Sequence, residues 1–194
     1  MCGRYALEAD IDILIERYKA MISDTNFCKR SEIFPTDCAP VIRDMGKKQI
    51  DILKWGFKPD YAKTPLINAR AETSDVKPTF KGAFMTKRCI IPATHFFEWE
   101  KAGTKKIKRK IYIKEDEIFS IAGLYNTFTD KEGKVYEAFT ILTTQANNSM
   151  KAIHERMPVI LSRYTEEIWL NKENKNLVGL KSLLMPWKTD LIIE

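Results

Sequence analysis

Apolar and polar residues follow one another along this chain with two different periods. Ile11, Leu14, Ile15, Tyr18 and Ile22 recur at spacings of three and four, which predicts an amphipathic helix over 8–22, with Asp10 as N-cap and the apolar stripe laid on a sheet. After a stretch from Asp24 to Pro40 with two prolines and several turn formers, the period drops to two. Residues 41–43 and 49–55 flank a turn at Asp44-Met45-Gly46-Lys47, the pattern of a hairpin. Gly56-Phe57-Lys58-Pro59 ends that strand, and a loop runs to 67–73. A short segment at 77–84, an apolar strand at 88–92 and the cluster His95-Phe96-Phe97-Glu98-Trp99-Glu100 come next. Strands at 105–113, 118–125 and 136–144, separated by turn signals at Glu115-Asp116 and Asp130-Lys131-Glu132-Gly133, read as an antiparallel meander. A helical turn through Ile153, a segment over 154–161 and helices near 165–170 and 175–184 close the chain. With no repeat, low-complexity tract or linker, the expectation is one α+β domain over 1–194. Its largely antiparallel, barrel-like β-sheet would carry peripheral helices.

Composition narrows the class. The 194 residues are 44% hydrophobic, enough to fill one core, so no disordered tail is expected. No apolar run reaches the length of a membrane span, and no signal-peptide pattern precedes the first strand; a cytoplasmic protein is expected, nucleoid-associated if bacterial. Four cysteines without C-x-x-C spacing and two histidines point to reduced thiols and to no metal or cofactor. The formal net charge of +6 is compatible with a polyanionic partner and equally with an ordinary solvated surface, so charge alone decides nothing.

The chemistry begins at Met1-Cys2-Gly3-Arg4-Tyr5. The small Cys2 side chain permits aminopeptidase removal of Met1, which would leave a cysteine carrying both an α-amine and a thiol. With unperturbed pKa values near ~7.7–8.0 and ~8.5, both are close to nucleophilic at neutral pH. The amine can condense with an aldehyde to an imine, and the thiol can close on the imine carbon to a five-membered thiazolidine. The opposing reading is a buried cysteine acting as a small hydrophobe. Further along, Asn68 and Arg70 lie in a polar segment where Asn68 could cap backbone groups and Arg70 could pair with Glu72. Glu98 stands between Phe97 and Trp99, where desolvation would suit it to general acid or base work. His154, before Glu155-Arg156-Met157-Pro158, is a candidate proton shuttle. The run 105–110 reads as a solvated hairpin arm rather than a sequence-reading nucleic-acid site.

Taken in order, Met1-Cys2-Gly3-Arg4-Tyr5, Trp55-Gly56-Phe57-Lys58-Pro59, Asn68-Ala69-Arg70-Ala71-Glu72-Thr73, Arg88-Cys89-Ile90-Ile91-Pro92-Ala93, Phe97-Glu98-Trp99 and His154-Glu155-Arg156-Met157-Pro158 resemble the SRAP (SOS-response-associated peptidase) family over nearly the whole chain. The resemblance implies the SRAP fold and a protein that captures abasic sites in single-stranded DNA as a covalent adduct. Under it, Cys2 is the nucleophile and Asn68 holds its amino terminus. Glu98 acts on the amine, and His154 helps open the abasic sugar and protonates its oxygen. Arg4, Arg70 and Arg156 would contact phosphates, Thr143 would add a hydroxyl, and Pro35, Trp55 and Trp99 would offer flat surfaces where the strand is kinked. Three positions depart from the family pattern: His95 stands for glycine, Tyr61 for a second tryptophan, and Phe34 for alanine.

Other readings of the same terminus stay open. A thiol (auto)peptidase could use Cys2 with His154. Class II glutamine amidotransferases also begin with Cys-Gly, although their downstream motifs are not found here. A non-enzymatic DNA reader would need only the groove. A monomer is expected, since a single-strand groove and one terminal nucleophile need no symmetry mate.

Overall fold

The computed structural model describes residues 2–23 and 28–194. β1 (Tyr5–Leu7) leads into α1 (Ile11–Tyr18), β2 (Met21–Ile22) and β3 (Arg30–Ile33). β4 (Cys38–Asp44) and β5 (Lys48–Trp55) form the expected hairpin, followed by β6 (Asn68–Arg70) and α2 (Pro78–Thr86). β7 (Arg88–Ala93), β8 (His95–Ala102), β9 (Lys105–Tyr112), β10 (Phe119–Thr129) and β11 (Val135–Gln145) follow, but not as the expected meander: β8 pairs with β9 in one sheet, whereas β10 pairs with β7 and β11 in the other. β12 (Arg156–Pro158), β13 (Ile160–Leu161), α3 (Arg163–Leu170), α4 (Leu177–Ser182) and β14 (Ile192–Ile193) complete the chain.

Five of these strands close a ring. β5 pairs with β4, β4 with β7, β7 with β10 and β10 with β11, all antiparallel. A short parallel pairing of β11 with β5, Ala138 opposite Lys54 and Phe139 opposite Trp55, completes the barrel. A closed sheet has no exposed edge to satisfy, and its interior is filled by Val41, Leu53, Ile91, Ile121 and Phe139 among others, all buried and on one face by register. A second sheet, in the order β14-β9-β8-β1-β3, lies beside it. The chain passes from barrel to second sheet at Thr94, between β7 and β8. Thr94 N–H donates to the Ala6 carbonyl at 2.9 Å, and its hydroxyl accepts from Glu8 N–H at 3.3 Å.

Local differences from the sequence pattern have physical causes. The first helix ends at Tyr18 rather than Ile22, because Lys19 takes a left-handed conformation (φ 50°) and Met21 and Ile22 pair in parallel with Gln49 and Ile50 of β5. β3, in the turn-rich stretch after the first helix, pairs with β1. Pro78 at the first turn starts α2, whose Phe80, Ala83 and Phe84 pack inward. Arg88 is buried at the start of β7, yet its guanidinium donates to the carbonyls of Phe84 (2.8 Å), Trp169 (2.7 Å) and Asn171 (2.5 Å). Those carbonyls cluster at the C-terminal ends of α2 and α3, where a cation is favoured and acceptors are otherwise orphaned. No helix among the described residues is long and apolar enough to cross a membrane.

Gly123 sits where β10 meets β7 and β11. A Cβ built there would lie 2.2 Å from Ile91 Cδ1 and 2.9 Å from the Thr140 carbonyl. The backbone oxygen cannot retreat without breaking the ring. Gly123→Ala is therefore expected to destabilise the protein by about 1–3 kcal/mol, read as a lower urea midpoint with an unchanged m-value. An unaltered midpoint would show that the ring yields at this point.

Candidate functional site

The N-terminal segment is held against β8 by its backbone. Tyr5 pairs with Phe96, and the Arg4 carbonyl accepts from Phe97 N–H at 2.9 Å. Cys2 turns back on the same acceptor, its thiol donating to the Arg4 carbonyl at 3.6 Å, and is fully buried. Asn68, at the start of β6, reaches it from the barrel: Nδ2 donates to the Cys2 carbonyl at 2.9 Å. β6 is fixed in that place by parallel pairing with β11, Asn68 opposite Ile141 and Arg70 opposite Thr143. Glu98, 3% exposed on β8, contributes a third group. Burial, and after it the charge of Glu98, push the Cys2 thiol up to about 12. Cys2, Asn68 and Glu98 are thus brought together from three separate segments, and the thiol is kept protonated at neutral pH.

His154 arrives on a different support. Asn147 caps the turn before it, its Oδ1 accepting from Met150 N–H at 3.1 Å, and His154 N–H donates to the Met150 carbonyl at 3.0 Å. The ring's Nδ1 accepts from Arg156 N–H at 2.9 Å, so the neutral imidazole carries its proton on Nε2. β12 places Arg156 opposite Gln145 on β11. The Arg156 side chain is buried and bound in two-pronged fashion to Glu72 (2.6 and 2.8 Å), with a further bond to the Thr143 carbonyl at 2.5 Å. These bonds hold the Glu72 carboxyl below its usual range. Glu72 therefore takes Arg156 as its partner, not Arg70, which is exposed and forms no ion pair among the described residues. Arg70 and Arg156 line one open pocket of about 460 Å³ with Gln145, Ala146, Lys151 and Glu155.

Arg4 is clamped by aromatic rings. Its guanidinium lies 4.1 Å from the Phe34 ring centroid and 5.2 Å from that of Trp99, and it donates to Glu32 at 2.9 Å. Pro35 follows Phe34 in a turn pinned to the end of β5: Thr36 N–H donates to the Trp55 carbonyl and Trp55 N–H to the Asp37 carbonyl. Trp99 and Pro35 are partly exposed, so both offer a surface at this lip.

Two expected contacts are corrected. Trp55 presents no face to a ligand: it is fully buried, stacked on Phe139, set edge-on to Tyr5 at 5.2 Å, and its indole N–H donates to the Ile67 carbonyl. Its position follows from barrel closure at Phe139. Thr143 is fully buried as well, and its hydroxyl lies 3.5 Å from the Arg156 guanidinium, so it offers no hydroxyl at the surface. Conversely, sequence reasoning passed over Glu32, and it offered Glu72 the neighbouring Arg70 where the structure pairs it with Arg156. Phe34 carried a signal as a departure from the family pattern; Glu32 carried none, since its partner Arg4 is distant in sequence. Of the other departures, His95 is buried with its ring edge-on to Phe97, and Tyr61 is exposed with its hydroxyl on Thr79. All four cysteines are free thiols, and among the described residues no group of three or more His, Cys, Asp or Glu is placed to hold a metal.

The coupling between Glu98 and the thiol is measurable. Removing the carboxylate charge lowers the energy of the thiolate, so Glu98→Gln is expected to raise the iodoacetamide alkylation rate of Cys2 at pH 8 by about three- to tenfold, the equivalent of half to one pKa unit. Peptide mass mapping separates Cys2 from the exposed Cys28 and Cys38. Equal rates in both proteins would show that the thiol does not feel that charge.

Comparison with known proteins agrees with this geometry. The chain is 38% identical over 203 residues to the abasic site processing protein YoqW of Bacillus subtilis (strain 168), covering 98% of this chain and 89% of that protein. It is 34% identical over 180 residues to the abasic site processing protein YedK of Escherichia coli (strain K12), covering 89% and 81% of the two chains. A crystal structure of a protein from Bacteroides thetaiotaomicron superposes with a TM-score of 0.89 at 30% identity, covering 99% of this chain and 91% of that one. The family described as SOS response associated peptidase (SRAP) matches residues 1–193, and with fold and sequence in agreement along that length, this chain belongs to the SRAP family.

Proposed function

We propose that this protein captures abasic sites in single-stranded DNA through Cys2 once Met1 has been removed. The observation that carries the reading is the meeting of Cys2, Asn68 and Glu98, with Arg70, two residues on from Asn68 in β6, lining an open pocket. The names of the relatives, abasic site processing proteins, support the substrate. An abasic deoxyribose equilibrates with a ring-opened aldehyde. The Cys2 α-amine adds to that carbonyl and water leaves, giving an imine. The thiol then adds across the C=N bond: sulfur bonds to carbon, the thiol proton ends on nitrogen, and the ring closes as a thiazolidine without oxidant or cofactor.

Each neighbour has a task in that sequence. Asn68 fixes the Cys2 backbone so that amine and thiol face the same side. Glu98 takes a proton from the α-ammonium, whose ordinary pKa near ~7.7–8.0 makes the transfer easy near neutrality. His154, with its mobile proton on Nε2, supplies the proton that opens the sugar and stabilises the departing ring oxygen. Arg70, Arg156 and Arg4 receive phosphates, and Trp99 and Pro35 give unstacked bases a surface that tolerates any sequence. Recognition then depends on the lesion and on single-strandedness.

A denaturing gel of processed protein with single-stranded DNA carrying one abasic site tests the reading. A slow-migrating adduct is expected with wild type and none with Cys2→Ala, with intact DNA, or with a glycine inserted between Met1 and Cys2. Glu98→Gln and His154→Ala are expected to slow adduct formation by about 100-fold or more, the scale of lost acid–base catalysis. No adduct despite confirmed Met1 removal would turn the reading to a thiol peptidase. The corrected DNA surface has its own check. Trp99→Ala should weaken binding to intact single strands by about 5- to 150-fold, the equivalent of ~1–3 kcal/mol of stacking. Trp55→Phe should leave binding within a factor of two provided the fold is kept; a large loss with an unchanged melting curve would return Trp55 to the interface.

A further inference from the structure

Beyond Glu98, β8 and β9 continue as a two-stranded arm. β1 pairs with β8 at His95 and Phe96, and β14 pairs with β9 at Ile111 and Tyr112, so the ribbon from Trp99 to Lys108 has no third strand. The register sorts its side chains onto two faces. Phe97 is opposite Lys110, Trp99 opposite Lys108, and Lys101 opposite Lys106: one face carries two aromatic rings and four lysines. The reverse face carries Glu98, Glu100, Arg109, Ile107 and Lys105, with Arg109 bound to Glu100 at 2.7 Å. The charge run is therefore not evenly solvated. Its acids lie on one side and its surplus of positive charge on the other.

The positive face is continuous with the proposed site. Trp99 adjoins Glu98, and the Arg4 guanidinium lies over the Trp99 ring. Lys108 reaches back over the Phe97 ring at 4.0 Å and onto Glu32, the carboxylate already shared with Arg4. Lys101 and Lys106, further out, are exposed and form no ion pair among the described residues. Lys106, Lys108 and Lys110 alternate along β9 at a spacing of about 6.6–6.8 Å, which makes a row, and Lys101 stands beside Lys106 across the ladder.

We infer that the lysine face of the β8–β9 arm is a track for the phosphate backbone of the DNA flank that leaves the lesion on the Trp99 side. This rests on the reading of the site as a binder of single-stranded DNA and adds a second, extended contact to it. The contact is sequence-independent, since ammonium groups on a regular ladder meet phosphates and no base edges. Affinity gained here is dominated by counterion release and must fall as salt rises.

The test compares wild type with the double substitution Lys101→Gln and Lys106→Gln, both exposed and outside the catalytic machinery. Anisotropy of intact, labelled single strands is followed from low to moderate NaCl. For oligonucleotides with about ten nucleotides on each side of the centre, the slope of log K against log[salt] is expected to become shallower by about 1.4, two phosphate contacts at ~0.7 each. For strands of three nucleotides the two proteins should bind alike. Crosslinking rate at saturating DNA should be unchanged. An unaltered slope with long strands, in protein that still forms the adduct, would overturn the track and leave the proposed function standing. An equal drop with short and long strands would overturn it too, by showing a diffuse charge effect. Absence of adduct in wild type together with the length-dependent slope change would instead remove the proposed chemistry and retain the arm as a single-strand surface.

Discussion

The eleven residues of β11 have two hydrogen-bonding edges, and the fold uses each of them twice. One edge pairs with β10 up to Ile141 and then with β12 from Thr143 onward; the other takes β5 at Ala138 and Phe139 and then β6 from Ile141 to Thr143. The first pairing on each edge closes the barrel. The second pairing on each edge delivers the site. Asn68 and Arg70 come with β6, and Arg156, with His154 bonded to its backbone, comes with β12. Because strand register moves in steps of one residue that flip every side chain, these groups are positioned by the same constraint that keeps the core shut.

Electrostatics at the site are arranged in opposite senses. At Cys2, burial and the Glu98 charge oppose ionisation, so the structure holds the thiol in its protonated form. At Arg156, Glu72 supplies a carboxylate where the proposed function places a phosphate. A guanidinium bound to Glu72, with Nε buried and without a partner, is pre-oriented for an anion. Incoming DNA would exchange one anionic partner for another instead of ordering a loose side chain from solvent.

The parts of this structure that local pattern can determine were legible in the sequence. The β4–β5 hairpin, the strands β9, β10 and β11 and the helix capped at Asp10 follow from periodicity and turn residues, but the division of those strands between two sheets does not. What was not legible depends on pairing at a distance. Ile22 continues the helical stripe, but β5 claims it for a parallel pair. Trp55 and Trp99 are indistinguishable as aromatic residues beside motif positions; only closure against Phe139 buries the first and leaves the second at the lip. At the site, the family resemblance pointed to Cys2, Asn68 and Glu98, which the fold brings together, while Glu32 gave no signal and Glu72 was matched to the wrong arginine, because their partners come from distant segments.

The attachment of the nucleophile also has a mechanical side. Cys2 hangs from β1, three residues long, clasped between β3 and β8, and Thr94 bonds to Ala6 just where β8 becomes β7 of the barrel. If Cys2 captures a strand as proposed, tension on it enters the protein at the first residues and acts along β1 in shear, across bonds on both edges at once, rather than unzipping them one by one. The weakest point under such tension is then a three-residue strand rather than the barrel itself.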